Sequence, residues 1–120
     1  LDSAVTATEY VLNEITAGLI YKFKITARNS VGSSLDSDVL LILSASVPFA
    51  PINLANVPGV TTGYQIGLTW EDGAYDGGSP IIDYQVQYTL LGGTMTEYAS
   101  GITDKSLTVT GLTPGSTYSF

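Results

Sequence analysis

The feature that most constrains this chain is that part of it occurs twice. Ile15-Thr-Ala-Gly-Leu-Ile-Tyr21-Lys-Phe23 is matched by Leu112-Thr-Pro-Gly-Ser-Thr-Tyr118-Ser-Phe120, and Tyr21 to Tyr118 and Phe23 to Phe120 are both steps of 97 residues (118 less 21, 120 less 23). The preceding segments correspond too, Tyr10-Val-Leu12 with Leu107-Thr-Val109. A period of 97 is the size of a β-sandwich, well beyond the ~20–50 residues of solenoid repeats. A length of 120 residues alone would suggest one domain. The repeat makes it parts of two.

Between the matched segments the apolar residues alternate with a period of two, which in a strand places them on one face. Tyr21, Phe23, Ile25 and Ala27 alternate with Lys22, Lys24, Thr26 and Arg28, and Tyr84, Val86, Tyr88 and Leu90 with Asp83, Gln85, Gln87 and Thr89. Further strands are expected at Val39–Leu43, Ile52–Val57, Tyr64–Trp70, Met95–Tyr98 and Ser106–Thr110. Turn residues separate them at Pro58-Gly59, Asp76-Gly77-Gly78-Ser79-Pro80, Gly92-Gly93 and Thr113-Pro114-Gly115. No stretch of helical period is long enough to count. Short strands with regular turn signals predict an all-β antiparallel sandwich.

At this point a family resemblance becomes specific. Val47-Pro-Phe-Ala-Pro-Ile-Asn-Leu54 resembles the proline-rich first strand of a fibronectin type III domain, and Ile66-Gly-Leu-Thr-Trp70 its second strand with the core tryptophan. Asp76 to Tyr88 is similar to the following loop and third strand, and Leu107 to Tyr118 to the fifth strand and the turn that carries the tyrosine corner. Tyr21 to Gly32 matches the sixth strand and its loop, and Ser37–Leu43 the last. The resemblance implies an immunoglobulin-like sandwich. In family order, residues 1–44 hold strands E, F and G of one repeat, and residues 45–120 hold A, B, C, C′, E and the start of F of the next.

Neither part is a whole domain, and the link between them is short. In this family the last strand ends at the pole opposite the start of the first, roughly 30 Å away, whereas the four residues Ser44 to Val47 span at most about 14 Å. Residues 24–43 are therefore not expected to fold back and complete the second sandwich. The chain is expected to be a window on a longer polypeptide, or successive copies complete each other head to tail, a contact that makes an open filament where its rotation does not close.

Composition narrows the chemistry. There is no histidine and no cysteine, which removes the usual general base, imidazole and thiolate metal ligands, thiolate nucleophiles and disulfides. No enzymatic activity and no cofactor are expected. Four basic residues against eleven acidic ones oppose any sequence-independent grip on nucleic acid. The longest apolar run, Val39–Leu43, is far short of the ~20 residues that cross a bilayer, and no leader sequence opens the chain, so any signal or anchor is expected outside this stretch. Charged residues make up only 12%, so Ser and Thr must keep the surface wet, suiting O-linked glycans or lateral packing against copies of the chain. No Asn-x-Ser/Thr sequon is present.

Three features could carry more than structure. Glu71, Asp72 and Asp76 cluster after Trp70, but their spacing does not fit a regular calcium loop and an ordinary turn is the favoured role. Lys22, Lys24 and Arg28 form a cationic stripe; pairing with a strand neighbour such as Asp83 is its ordinary role, and docking to an acidic neighbour in an array its sharper one. The loop Asn29–Ser34 lies where some adhesion modules of the family carry Arg-Gly-Asp, which is absent here. The resemblance assigns Tyr21 and Tyr118 to tyrosine corners, whose hydroxyls bond back to the chain upstream. Trp70, Tyr84, Val86, Tyr88, Phe23, Ile25 and Leu112 are expected in the core.

These features point to a structural or interaction module of a tandem-repeat protein, extracellular or on the cell surface, whose partners are neighbouring repeats, copies of itself, other surface proteins or glycans. The closely spaced prolines of Val47–Pro51 would stiffen the inter-repeat link and favour a rod. An adhesion or receptor ectodomain binding through its loops, a spacer of an extracellular enzyme, and an intracellular filament protein are the alternatives.

Overall fold

Alternating runs broken by Gly, Pro and Asp make strands. In the computed structural model, which describes residues 5–120, eight strands form and no helix is found among the described residues: β1 (Ile20–Phe23), β2 (Leu40–Leu43), β3 (Ile52–Asn56), β4 (Gln65–Glu71), β5 (Tyr84–Leu90), β6 (Thr96–Ile102), β7 (Ser106–Thr110) and β8 (Tyr118–Ser119). Every sheet is antiparallel. The described chain divides into two compact units, residues 5–46 with 77–79, and residues 47–76 with 80–120.

The larger unit is built from two three-stranded sheets, β3-β4-β7 and β6-β5-β8. In the first, β4 runs against β7 with Ile66 opposite Val109 and Leu68 opposite Leu107. In the second, β5 takes β6 on one side and β8 on the other, with Leu90 opposite Tyr118. Leu68, Trp70, Val86, Val109 and Leu112 form the buried core where the two sheets' apolar faces meet. Trp70 is 5% exposed and Val109 wholly buried. Tyr84, Tyr88 and Tyr118 are half-buried and pack against this cluster. Leu68 and Val109, not singled out from the sequence, follow from the same alternation, two residues from Trp70 and from Leu107.

The smaller unit holds one two-stranded sheet, in which Tyr21 lies opposite Ile42 and Phe23 opposite Leu40. All four residues of β2 are exposed, and Tyr21 and Phe23 only half-buried. Here two expectations need correction. Ile25, expected in the core, is 75% exposed, because no second layer among the described residues of its unit covers that face. Tyr10–Leu12, the expected counterpart of β7, forms no strand; β7 is held by β4, and the smaller unit has no strand in that place. Leu1–Ala4, also assigned to that unit's sandwich, lie outside the described residues.

The expected strand Tyr21–Ala27 also stops early, at Phe23. Beyond it serine hydroxyls replace main-chain acceptors. Ser37 Oγ accepts from Ile25 N–H at 3.0 Å and Ser34 Oγ from Ala27 N–H at 2.9 Å, while Ser37 and Ser34 N–H donate to the carbonyls of Ile25 and Ala27. The two segments stay side by side without a regular ladder.

The sequence repeat is also a geometric one. Tyr21 Oη accepts from Thr16 N–H at 2.8 Å and Tyr118 Oη from Thr113 N–H at 3.0 Å, each five residues upstream. Gly18 and Gly115, in the two matching turns, take left-handed φ values of 81° and 76°, which a residue without Cβ adopts at no steric cost.

Candidate functional site

Lys22 lies in β1 opposite Leu41, and with Lys24 and Arg28 it falls on the exposed face that alternation assigns to even-numbered residues. Lys24 Nζ meets Asp36 Oδ2 at 2.9 Å, within its own unit. Lys22 and Arg28 form no ion pair with a described residue, and neither does Asp83, which is exposed. Arg28 is fixed at the backbone by a bridge to Ser33, and the loop between them is closed by Asn29, whose Oδ1 accepts from Val31 N–H at 2.9 Å and Gly32 N–H at 3.1 Å. Val31 at its tip is exposed. This Asx-type closure presents a firm turn next to an unpaired guanidinium.

In the larger unit the acidic residues after Trp70 are engaged by protein groups. Tyr84 Oη donates to Asp72 Oδ1, Lys105 Nζ donates to Asp72 Oδ2, and Asn53 Nδ2 donates to Glu71 Oε2 at 2.9 Å. The Lys105 bond, helped by that of Tyr84, holds the Asp72 carboxyl below its ordinary pKa, while the same carboxylate raises both Tyr84 and Lys105. No group of three His, Cys, Asp or Glu side chains among the described residues is placed to hold a metal ion. The network ties the end of β4 to β5 and to the approach of β7.

A second network is aromatic. Tyr88 packs edge-on to Tyr98 with centroids 5.4 Å apart and lies near-parallel to Tyr118 at 6.2 Å and Phe120 at 6.4 Å. Tyr98 Oη accepts from Thr110 N–H at 3.0 Å, joining β6 to β7, and the Thr110 bonds lower the Tyr98 pKa. Beside this cluster an open hollow of about 230 Å³ is lined by Leu54, Trp70, Tyr84, Val86, Gln87 and Phe120, along the part of β5 that β8 does not reach. Sequence alternation by itself gives no sign of it.

Comparison with known proteins finds the fibronectin type III domain family over residues 50–120. Fibronectin type-III domain-containing protein 3A of Mus musculus is 30% identical over 115 residues, covering 96% of this chain and 10% of that protein. Myomesin-2 of Homo sapiens is 34% identical over 119 residues, covering 92% of this chain and 8% of that protein. The chain thus spans about a tenth of the length of these relatives. Among solved structures, a crystal structure of titin domains superposes with a TM-score of 0.64 at 22% identity, covering 88% of this chain and 35% of that one, a likeness of fold.

Proposed function

This chain belongs to the fibronectin type III domain family, and from that membership we propose that it is a non-enzymatic structural and interaction module, one junction in a tandem array of such repeats. The repeated tyrosine corner carries this reading: the same hydroxyl-to-backbone bond, Tyr21 to Thr16 and Tyr118 to Thr113, recurs 97 residues on (118 less 21). Two such corners one sandwich-length apart belong to consecutive copies of one domain.

Further support comes from what the side chains are doing. The carboxylates nearest the core are committed to Lys105, Tyr84 and Asn53. The surface features left over are apolar residues and unpaired charges, which suit contact with other protein surfaces.

Electron microscopy of the native polypeptide that contains this chain tests it. Beaded rods are expected, with a bead spacing of roughly 30–40 Å, the length of a sandwich of this size. Compact particles without a repeat along an axis would overturn it.

A further inference from the structure

A strand at the edge of a sheet offers its outward N–H and C=O groups to any strand that can pair with them, and folds blunt such edges with bulges, charges or prolines. Two edge strands of the larger unit are blunted by bulges. The pairing of β3 with β4 slips between Ile52 and Ala55, with the extra residue on β3, and that of β5 with β6 slips on either side of Val86, with the extra residues on β6. β7 has no such device. It pairs with β4 alone, in unbroken register from Gln65 opposite Thr110 to Thr69 opposite Ser106, and Ser106-Leu-Thr-Val-Thr110 holds neither charge nor proline.

Backbone parity decides which groups lie on the open side of β7. Trp70 N–H donates to the Lys105 carbonyl at 3.1 Å, so the odd-numbered residues Lys105, Leu107 and Val109 turn their N–H and C=O groups toward β4. Ser106, Thr108 and Thr110 turn theirs the other way. The last of these N–H groups is already taken: Thr110 N–H donates to Tyr98 Oη at 3.0 Å, and Thr110 Oγ1 lies 3.4 Å from the same hydroxyl. Tyr98 comes from β6, in the other sheet, and its ring packs edge-on against Tyr88 with centroids 5.4 Å apart, which holds the hydroxyl at the β7 edge.

That edge is self-complementary. Laying β7 antiparallel against a second β7 about Thr108 sets Thr108 opposite its own counterpart, Ser106 opposite Thr110 and Lys105 opposite Gly111, so no like charges face each other. Each end of this ladder needs the Thr110 N–H of one copy for the Ser106 carbonyl of the other. Tyr98 holds that N–H, so the hydroxyl and a second copy compete for the same proton.

We infer that the Tyr98 hydroxyl is an autoinhibitory contact: by capping Thr110 N–H it closes the β7 edge against β7 of another copy of this chain. The inference stands apart from the proposed function and bears on it. An array grows along its axis, whereas an open β7 edge on its repeats would pair arrays side by side.

Amide exchange and sedimentation equilibrium of the 120-residue chain, each at low and high concentration, test it. Tyr98→Phe keeps the ring on Tyr88 and removes the hydroxyl alone. In dilute solution Thr110 N–H should exchange faster in this variant than in wild type, while Val109 N–H, which faces β4, stays protected. At high concentration the variant should associate at least about tenfold more tightly than wild type, and its Ser106, Thr108 and Thr110 amides should gain protection together. Adding Thr108→Lys, at an exposed position that would face its own counterpart, should return association to the wild-type level through like-charge repulsion. Tyr98→Phe that associates no more tightly than wild type, β7 amides whose protection does not rise with concentration, or a double variant that associates as Tyr98→Phe does would each overturn the inference. So would loss of Val109 protection in dilute Tyr98→Phe, which would make the hydroxyl a requirement of the fold.

Discussion

Trp70 shows how much of the larger unit rests on single side chains. It packs edge-on against Tyr84 with centroids 5.5 Å apart and shares the core with Leu68, Val86, Val109 and Leu112. Trp70→Ala should lower stability by about 3–5 kcal/mol, the range for emptying an aromatic site. Urea unfolding followed by circular dichroism measures it. Gly111 is a different kind of dependence: its φ is 74°, and a Cβ added there would meet nothing within 4 Å, so only backbone conformation penalises a substitution. Glu14 occupies the equivalent place one repeat earlier at φ 59°, with the strain that Gly111 avoids. Gly111→Ala should therefore destabilise by about 1–2 kcal/mol and Glu14→Gly stabilise its own unit by a similar amount. Unfolding midpoints check the first, and amide exchange in β1 the second.

Among the elements, the joints carry the most specific chemistry. Asp72 binds Lys105 and Tyr84, and its lowered pKa means that the folded state favours the carboxylate. Its contribution is present above the unfolded value near 3.8 and is lost as pH falls through the folded value. Tyr84 and Lys105 are raised, so their contributions are present below their unfolded values of 10.0 and 10.5 and are lost as pH rises through the folded ones. The melting-temperature gap between wild type and Asp72→Asn should hold steady from about pH 5 to 8 and close as pH drops below about 4. A gap that does not shrink in acid would show that the network contributes nothing through that charge. The serine-bridged stretch after β1 makes a second prediction. Ser34→Ala and Ser37→Ala remove the acceptors of Ala27 and Ile25 N–H, at a cost of about 0.5–1.5 kcal/mol each. Amide exchange at those two residues should accelerate.

For the whole molecule the two units differ in how much layer they contain. The larger has two three-stranded sheets closing on Trp70, whereas the smaller has two strands with exposed apolar residues on both. Two-stranded sheets are marginal in water. Amides of β4 and β7 should be the most protected against exchange and those of β1 and β2 among the least. Equal protection in both would mean that the smaller unit has a cover beyond its own strands.

Local information was enough for much of this. The 97-residue repeat, the strand alternation and the Thr-x-Gly turns carry the family, the all-β class and most strand positions, because each depends on residues a few places apart. Ser106–Thr110 forms over the predicted span, and β5 begins at Tyr84. Where the chain pairs over long separations, only the folded structure decides. Alternation puts Ile25 on the same face as Phe23, but exposure depends on whether a second layer covers that face, and in its unit none does. Tyr10–Leu12 matches Leu107–Val109 in sequence, yet a strand needs a partner's backbone and only the later copy has β4 beside it. Asp72 finds Lys105 across 33 residues, a meeting that no local spacing encodes. Local order and alternation determined the strands; the tertiary structure decided which faces are covered, because burial depends on what long-range pairing brings opposite each strand.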